Sequence, residues 1–117
     1  MRIRACLVLV LALGVATPAF ADRRSDARAK VEFGWEVALR GLWKEATLHW
    51  EQAAELDPTY AAAWNDLGIA YEQLGRFDDA RKAYEKAMEI EPGNTFIRQN
   101  YDLFREIYDR QNRRRDK

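Results

Sequence analysis

Side chains able to carry chemistry are few in this 117-residue chain, which has one histidine, one cysteine and 19 acidic residues. His49 has neither a cysteine nor a second histidine at ligand spacing, whereas a zinc site needs three or four such donors. An exposed surface histidine is expected there. Glu51, Glu55, Glu85 and Glu89 recur at a fixed interval beside Lys44, Lys82 and Lys86, the pattern of solvent-facing ion pairs on helices. A catalytic carboxylate pair requires burial and opposed environments, and no glycine-rich loop precedes a helix to cradle phosphate. No enzyme activity, cofactor or metal is expected. What remains is binding, and the aromatic and apolar residues are its candidates.

The overall charge points to no polyanionic partner. Basic and acidic residues number 19 each, so no strong field steers the chain toward nucleic acid. Arg110, Arg113, Arg114, Arg115 and Lys117 form a short basic tail that could meet nucleic acid or anionic lipid, but such a tail is more often simply solvated. Nucleic acid is therefore not an expected partner. A chain of this length is read as one small domain.

The elements that must position any binding residues are organised around Ala61 to Asn94. Trp64, Leu67, Gly68, Tyr71 and Leu74 recur at three- and four-residue spacing along one helix face, and Phe77, Ala80, Tyr84 and Ala87 do so along a second. Gly75 lies between them, where a left-handed residue closes a helix, and Pro92 stands where the second helix cannot continue. The unit is a helical hairpin in which Gly68 and Ala80 allow close approach while Trp64, Tyr71 and Tyr84 fill the wider gaps.

A shift of 34 residues lays 27–60 over 61–94 without a gap. Ala27, Ala29, Gly34, Gly41, Ala46, Glu51, Ala53, Glu55 and Pro58 recur as Ala61, Ala63, Gly68, Gly75, Ala80, Glu85, Ala87, Glu89 and Pro92, and Phe33, Trp43 and Trp50 stand where Leu67, Phe77 and Tyr84 stand. Where the second copy has Trp64, Ala70 and Leu74, the first has Lys30, Glu36 and Arg40, a polar flank suited to a terminal repeat, so no further repeat is expected before it. After the second copy, Ile97, Tyr101, Phe104 and Tyr108 make one apolar stripe of a capping helix over 95–112, started by Asn94 or Thr95. The tail 113–117 is expected to be disordered.

Trp64, Leu67, Gly68, Tyr71, Gly75, Phe77, Ala80, Tyr84, Ala87 and Pro92, at these intervals, resemble the tetratricopeptide repeat, a helix-turn-helix of about 34 residues. The resemblance implies an all-α fold, a short right-handed superhelical stack of antiparallel helix pairs in which two repeats and a cap approach the lower limit of stability. It also implies a concave groove that binds a protein or peptide segment. Its groove-facing positions correspond here to Trp35 and Leu39 in the first repeat, to Ile69, Glu72 and Gln73 in the second, and to Phe96, Leu103 and Ile107 in the cap.

Such a groove is largely apolar with glutamates among its residues, and suits an amphipathic helix or apolar peptide. The cationic clamp by which some members hold a terminal carboxylate is missing, because the matching places carry Val31, Trp35, Asp66, Phe96 and Asn100. Trp35 lies off the packing stripe and is expected to serve as a binding anchor on which folding depends little. The alternative is a homo-oligomer in which another copy fills the groove.

The N-terminus reads as an export signal over 1–21. Arg2 and Arg4 precede an apolar run from Ala5 to Ala16, and Ala19-Phe20-Ala21 offers a small-x-small cleavage site. The run is shorter than a membrane-spanning helix requires, so membrane contact is expected only during export, with cleavage after Ala21 and a periplasmic or secreted product. Cys6 would leave with the signal, and so would Arg2 and Arg4, leaving 17 basic against 19 acidic residues, or −2. Residues 22–26 are expected to be a short frayed lead-in, with Ser25 or Asp26 as the N-cap.

Overall fold

The computed structural model describes residues 18–117. The expected signal residues 1–17 lie outside that range. The described residues form α1 (Pro18–Ala38), α2 (Trp43–Leu56), α3 (Ala61–Gln73), α4 (Phe77–Ile90) and α5 (Thr95–Arg115), with no strand among them. Helix α1 packs along α2 and α3 along α4, α2 and α3 join the two pairs, and α5 closes over α4. This is the all-helical stack implied by the repeat.

Both intra-pair turns are built on glycine. Gly41 and Gly75 have φ of 81° and 72°, where an L side chain would be strained. Beyond each, the N–H of Leu42 reaches back to the Val37 carbonyl at 3.3 Å and that of Arg76 to the Tyr71 carbonyl at 2.8 Å, the six-to-one bond of a Schellman turn. The turns after α2 and α4 also repeat one another. The Trp64 indole donates to the Pro58 carbonyl, and at the equivalent place the Arg98 guanidinium donates to that of Pro92, each at 3.0 Å. Asn94 caps α5, its side-chain oxygen accepting from the N–H groups of Phe96 and Ile97.

The pairs are held by an aromatic ring lying directly on a glycine. A Cβ added to Gly34 would come within 2.4 Å of the Trp50 indole, and one on Gly68 within 2.7 Å of the Tyr84 ring. Trp50 and Tyr84 are in turn fully buried, and the Trp50 N–H donates to the Val31 carbonyl at 3.1 Å. Phe104, on α5, fills the end of the second pair, with Tyr84, Tyr101 and Tyr108 around it. The hydroxyls of Tyr101 and Tyr108 reach Glu85 and Asp78 on the neighbouring pair. Ile97, Tyr101, Phe104 and Tyr108 thus form the capping stripe read from the sequence.

Three features differ from expectation. The segment 22–26 is helical, so neither Ser25 nor Asp26 caps α1. Arg24 explains part of this: it pairs with buried Asp57 in the α2–α3 turn, donates to the Thr59 hydroxyl at 3.2 Å and lies over the Tyr60 ring. The tail is also ordered, with α5 continuing to Arg115. No glycine or proline follows Gly93, and arginines in the last turn interact favourably with the carbonyl end of the helix. Finally, the outer flank of the first pair is less polar than expected. Lys30, Glu36 and Arg40 are there, but Phe33 remains 48% exposed and packs edge-on to His49 at 4.6 Å.

Gly68→Ala is expected to force the Tyr84 ring off its seat and to destabilise the chain by about 1–3 kcal/mol. Urea unfolding followed by helical circular dichroism measures this, and an unchanged midpoint would show that the ring contact does not hold the pair.

Candidate partner-binding groove

Helices α1, α3 and α5 lie side by side along one face of the stack. Because each helix repeats the previous one at 34 residues, equivalent side chains form rows across that face. One row is Trp35, Ile69 and Leu103, and another is Leu39, Gln73 and Ile107. Phe96 lies in a third, after Arg28 and Ala62. Leu39 is 83% exposed, Phe96 77%, Leu103 62% and Ile107 40%. Large apolar side chains left this open contribute little to folding and mark an interaction surface when they cluster.

The remaining expected groove residues are partly built into the fold. Ile69 is half-buried against the Tyr84 and Phe104 cluster, and Glu72 is half-buried with one carboxylate oxygen accepting the Tyr84 hydroxyl at 3.0 Å. Burial and the Glu72 carboxylate push the Tyr84 phenol well above its ordinary range, so it acts as a donor throughout the physiological pH range. Gln73 is exposed.

Trp35 is not a free anchor. It is half-buried in the core of the first pair, its ring meets Trp50 edge-on at 5.1 Å, and its indole N–H donates to Asp66 at 2.9 Å. Removing it would open a gap beside Trp50 and strip a donor from a buried carboxylate, so folding depends on Trp35 more than its position off the stripe implied.

Asp66 is the centre of a polar line that crosses the groove floor. Its second oxygen accepts from the Asn65 amide at 3.2 Å, and Asn65 accepts from the Asn100 amide at 3.0 Å, so side-chain bonds join α1, α3 and α5. The Asp66 carboxylate is 5% exposed. Burial pushes its pKa up to about 7, although the bonds from Asn65 and Trp35 oppose the shift. Sequence reading missed this line. The only available signal was the acidic residue between Asn65 and Leu67 on a helix that must face its neighbours.

His49 is likewise more enclosed than expected. It is half-buried, and its Nδ1 is shielded from solvent without a hydrogen-bond partner. A cleft of about 550 Å³ lies beside it, lined by Asp26, Ala29, Lys30, Phe33 and Leu56, on the open flank of the first pair and away from the groove. Among the described residues no group of three or more His, Cys, Asp or Glu side chains is placed to hold a metal ion.

Asp66 and Asp57 act on stability in opposite pH windows. Between pH 3.8 and about 7 the folded chain keeps a proton on Asp66 that the unfolded chain has lost, so this group makes stability fall as pH rises through that range. Burial raises the pKa of Asp57 too, but bonds from Thr59 and Arg24 outweigh it and hold the group below 3.8, so its contribution is lost only on stronger acidification. Asp66→Asn keeps an oxygen for the Trp35 N–H and removes the titration. Its melting temperature is therefore expected to fall less than that of the wild type between pH 4.5 and 7.5. Thermal melts at both pH values decide this, and parallel losses in the two proteins would refute it.

Comparison with known proteins agrees with this geometry. A family model described as tetratricopeptide repeat matches residues 61–94, and a second, described as TPR repeat, matches 38–75. The chain is 36% identical over 92 residues to cytochrome c-type biogenesis protein CycH of Bradyrhizobium diazoefficiens, covering 74% of this chain and 25% of that protein. It is 32% identical over 69 residues to the uncharacterized protein MJ0572 of Methanocaldococcus jannaschii, covering 59% of this chain and 80% of that one. The first of these shows a broader trait, since this chain spans only a small part of the length of most curated relatives it matches. In fold it is similar to the crystal structure of the Sgt2 TPR domain from Aspergillus fumigatus, with a TM-score of 0.68, 20% identity and 83% of each chain covered. With its glycine-seated helix pairs, its 34-residue period and these matches, the chain belongs to the tetratricopeptide repeat family.

Proposed function

We propose that this protein is an exported interaction module whose groove holds an apolar or amphipathic segment of a partner protein, with no catalytic step of its own. One observation carries the reading: Leu39, Phe96, Leu103 and Ile107 are large, apolar and open on the face formed by α1, α3 and α5, where the core of the stack does not need them. Helices dock into grooves by setting a few apolar side chains at three- and four-residue spacing onto such residues. One relative is named for cytochrome c-type biogenesis, the making of another protein, which fits a binding role.

Export rests on the N-terminal pattern. The described part of α1 starts at Pro18, and cleavage after Ala21 would remove the first turn of that part and retain Arg24 with its contacts to the α2–α3 turn. No helix among the described residues is long and apolar enough to cross a membrane.

The double variant Leu39→Ser, Leu103→Ser tests the groove. It is expected to melt close to the wild type, because both side chains are mostly exposed, while capture of a partner from an envelope extract falls at least about tenfold. Equal capture by the variant would overturn the groove reading. Intact mass of the protein from its native host is expected to correspond to a chain starting at Asp22, and a soluble cytoplasmic form that still carries Met1 would refute export.

A further inference from the structure

We infer that the segment held in this groove is a cationic amphipathic helix, its apolar side chains on Leu39, Leu103 and Ile107 and its lysine or arginine side chains beside Glu72 and Glu106. The inference rests on the groove reading above and adds the chemistry of the partner.

The chain is neutral as a whole, with 19 basic and 19 acidic residues, but its groove positions are not. The helices that form the groove place Glu32, Asp66, Glu72 and Glu106 at its repeat positions, against Arg28 alone. Other basic side chains of these helices stand at different repeat positions, among them Lys30 on α1 and Arg98 and Arg105 on α5.

Of the groove carboxylates, Asp66 is closed in by Trp35 and Asn65, which leaves Glu32, Glu72 and Glu106 accessible, and the last two form a pair. They occupy the same repeat position on neighbouring helices, each one residue before a member of the row that contains Leu39 and Ile107. Glu72 is steadied through one oxygen by Tyr84, while its other oxygen accepts no bond among the described residues. A lysine or arginine can lay its methylenes along Leu39 or Ile107 and reach these carboxylates with its charged end. An acidic segment would instead set like charges together in a partly desolvated groove.

The cationic end of a second copy does not meet the same requirement. From Asp109 to Lys117 the chain contains no apolar side chain, so it can supply charge but no face for Leu39 and Leu103. The cationic tail alone therefore does not fill the groove, and the proposed occupant is a separate polypeptide.

The test uses two fluorescein-labelled synthetic amphipathic helices, one of leucine and lysine and one of leucine and glutamate, with binding to the intact protein read by anisotropy. The leucine-lysine probe is expected to bind at least about tenfold more tightly, and to weaken as salt rises from about 0.05 to 0.5 M. Glu72→Gln with Glu106→Gln keeps an acceptor for Tyr84 and is expected to remove most of the preference. Glu55→Gln with Glu89→Gln, on the outer helices, is expected to retain it.

Equal binding of the two probes, abolished for both by Leu39→Ser with Leu103→Ser, would overturn the cationic inference and leave the groove reading standing. Absence of binding by either probe would overturn both. An equal loss of preference in the outer-helix variant would show non-specific attraction and overturn the inference. So would displacement of the lysine probe by self-association of the protein at micromolar concentration, because the occupant would then be a second copy.

Discussion

The fold depends on one kind of contact, an aromatic ring resting on a glycine across each helix pair. Trp50 on Gly34 and Tyr84 on Gly68 leave less room than a methyl group needs, so the two helices of each pair are as close as their backbones permit. Dispersion and apolar burial fall steeply with such gaps, and a large ring buried against backbone collects many contacts at once. At the equivalent place α5 carries Asp102, which is exposed. A side chain there excludes a ring seated in the same way, so α5 covers the second pair through Ile97, Tyr101, Phe104 and Tyr108 instead.

That contact also sets where the groove is. Once each pair is fixed, the repeat period brings the leading helices α1, α3 and α5 together, and whatever stands at their equivalent positions forms rows. Between these helices the contacts are fewer and more polar. The chain of bonds from Trp35 through Asp66 and Asn65 to Asn100 ties them in register. Such a network specifies one arrangement, but it desolvates a carboxylate in doing so, and the raised pKa of Asp66 records that cost.

Sequence patterns revealed the pairs more readily than the groove, for a physical reason. Glycine turns, close-packing glycines and aromatic stripes act within about 34 residues and must satisfy fixed geometry, so Gly41, Gly75, Gly34 and Gly68 stand in the chain as they act in the fold. The cap on α5 follows the same local logic at Asn94. The role of Trp35 was not readable in this way. Its partner, Asp66, is 31 residues away on a helix of the next pair, and neither residue type at its position announces a bond to the other. Arg24 presents the same difficulty. Its place in a charged run suggested a frayed end, whereas its contacts with Asp57, Thr59 and Tyr60 appear only once α1 lies against the α2–α3 turn.

Within the row of Trp35, Ile69 and Leu103, the first two are packed against the core and Leu103 is left open. Trp35 and Ile69 are drawn into the core because helices follow on the side where the stack continues, whereas Leu103, at the same repeat position on α5, is covered by no further helix among the described residues. Leu39 and Phe96 are open for a related reason, since each stands at an end of its helix, one just past the last turn of α1 and the other in the first turn of α5. Leu39, Phe96 and Leu103 therefore stand where packing demands on them are weakest. Substitution of these residues thus affects the fold little, while Asp66 keeps the helices in register.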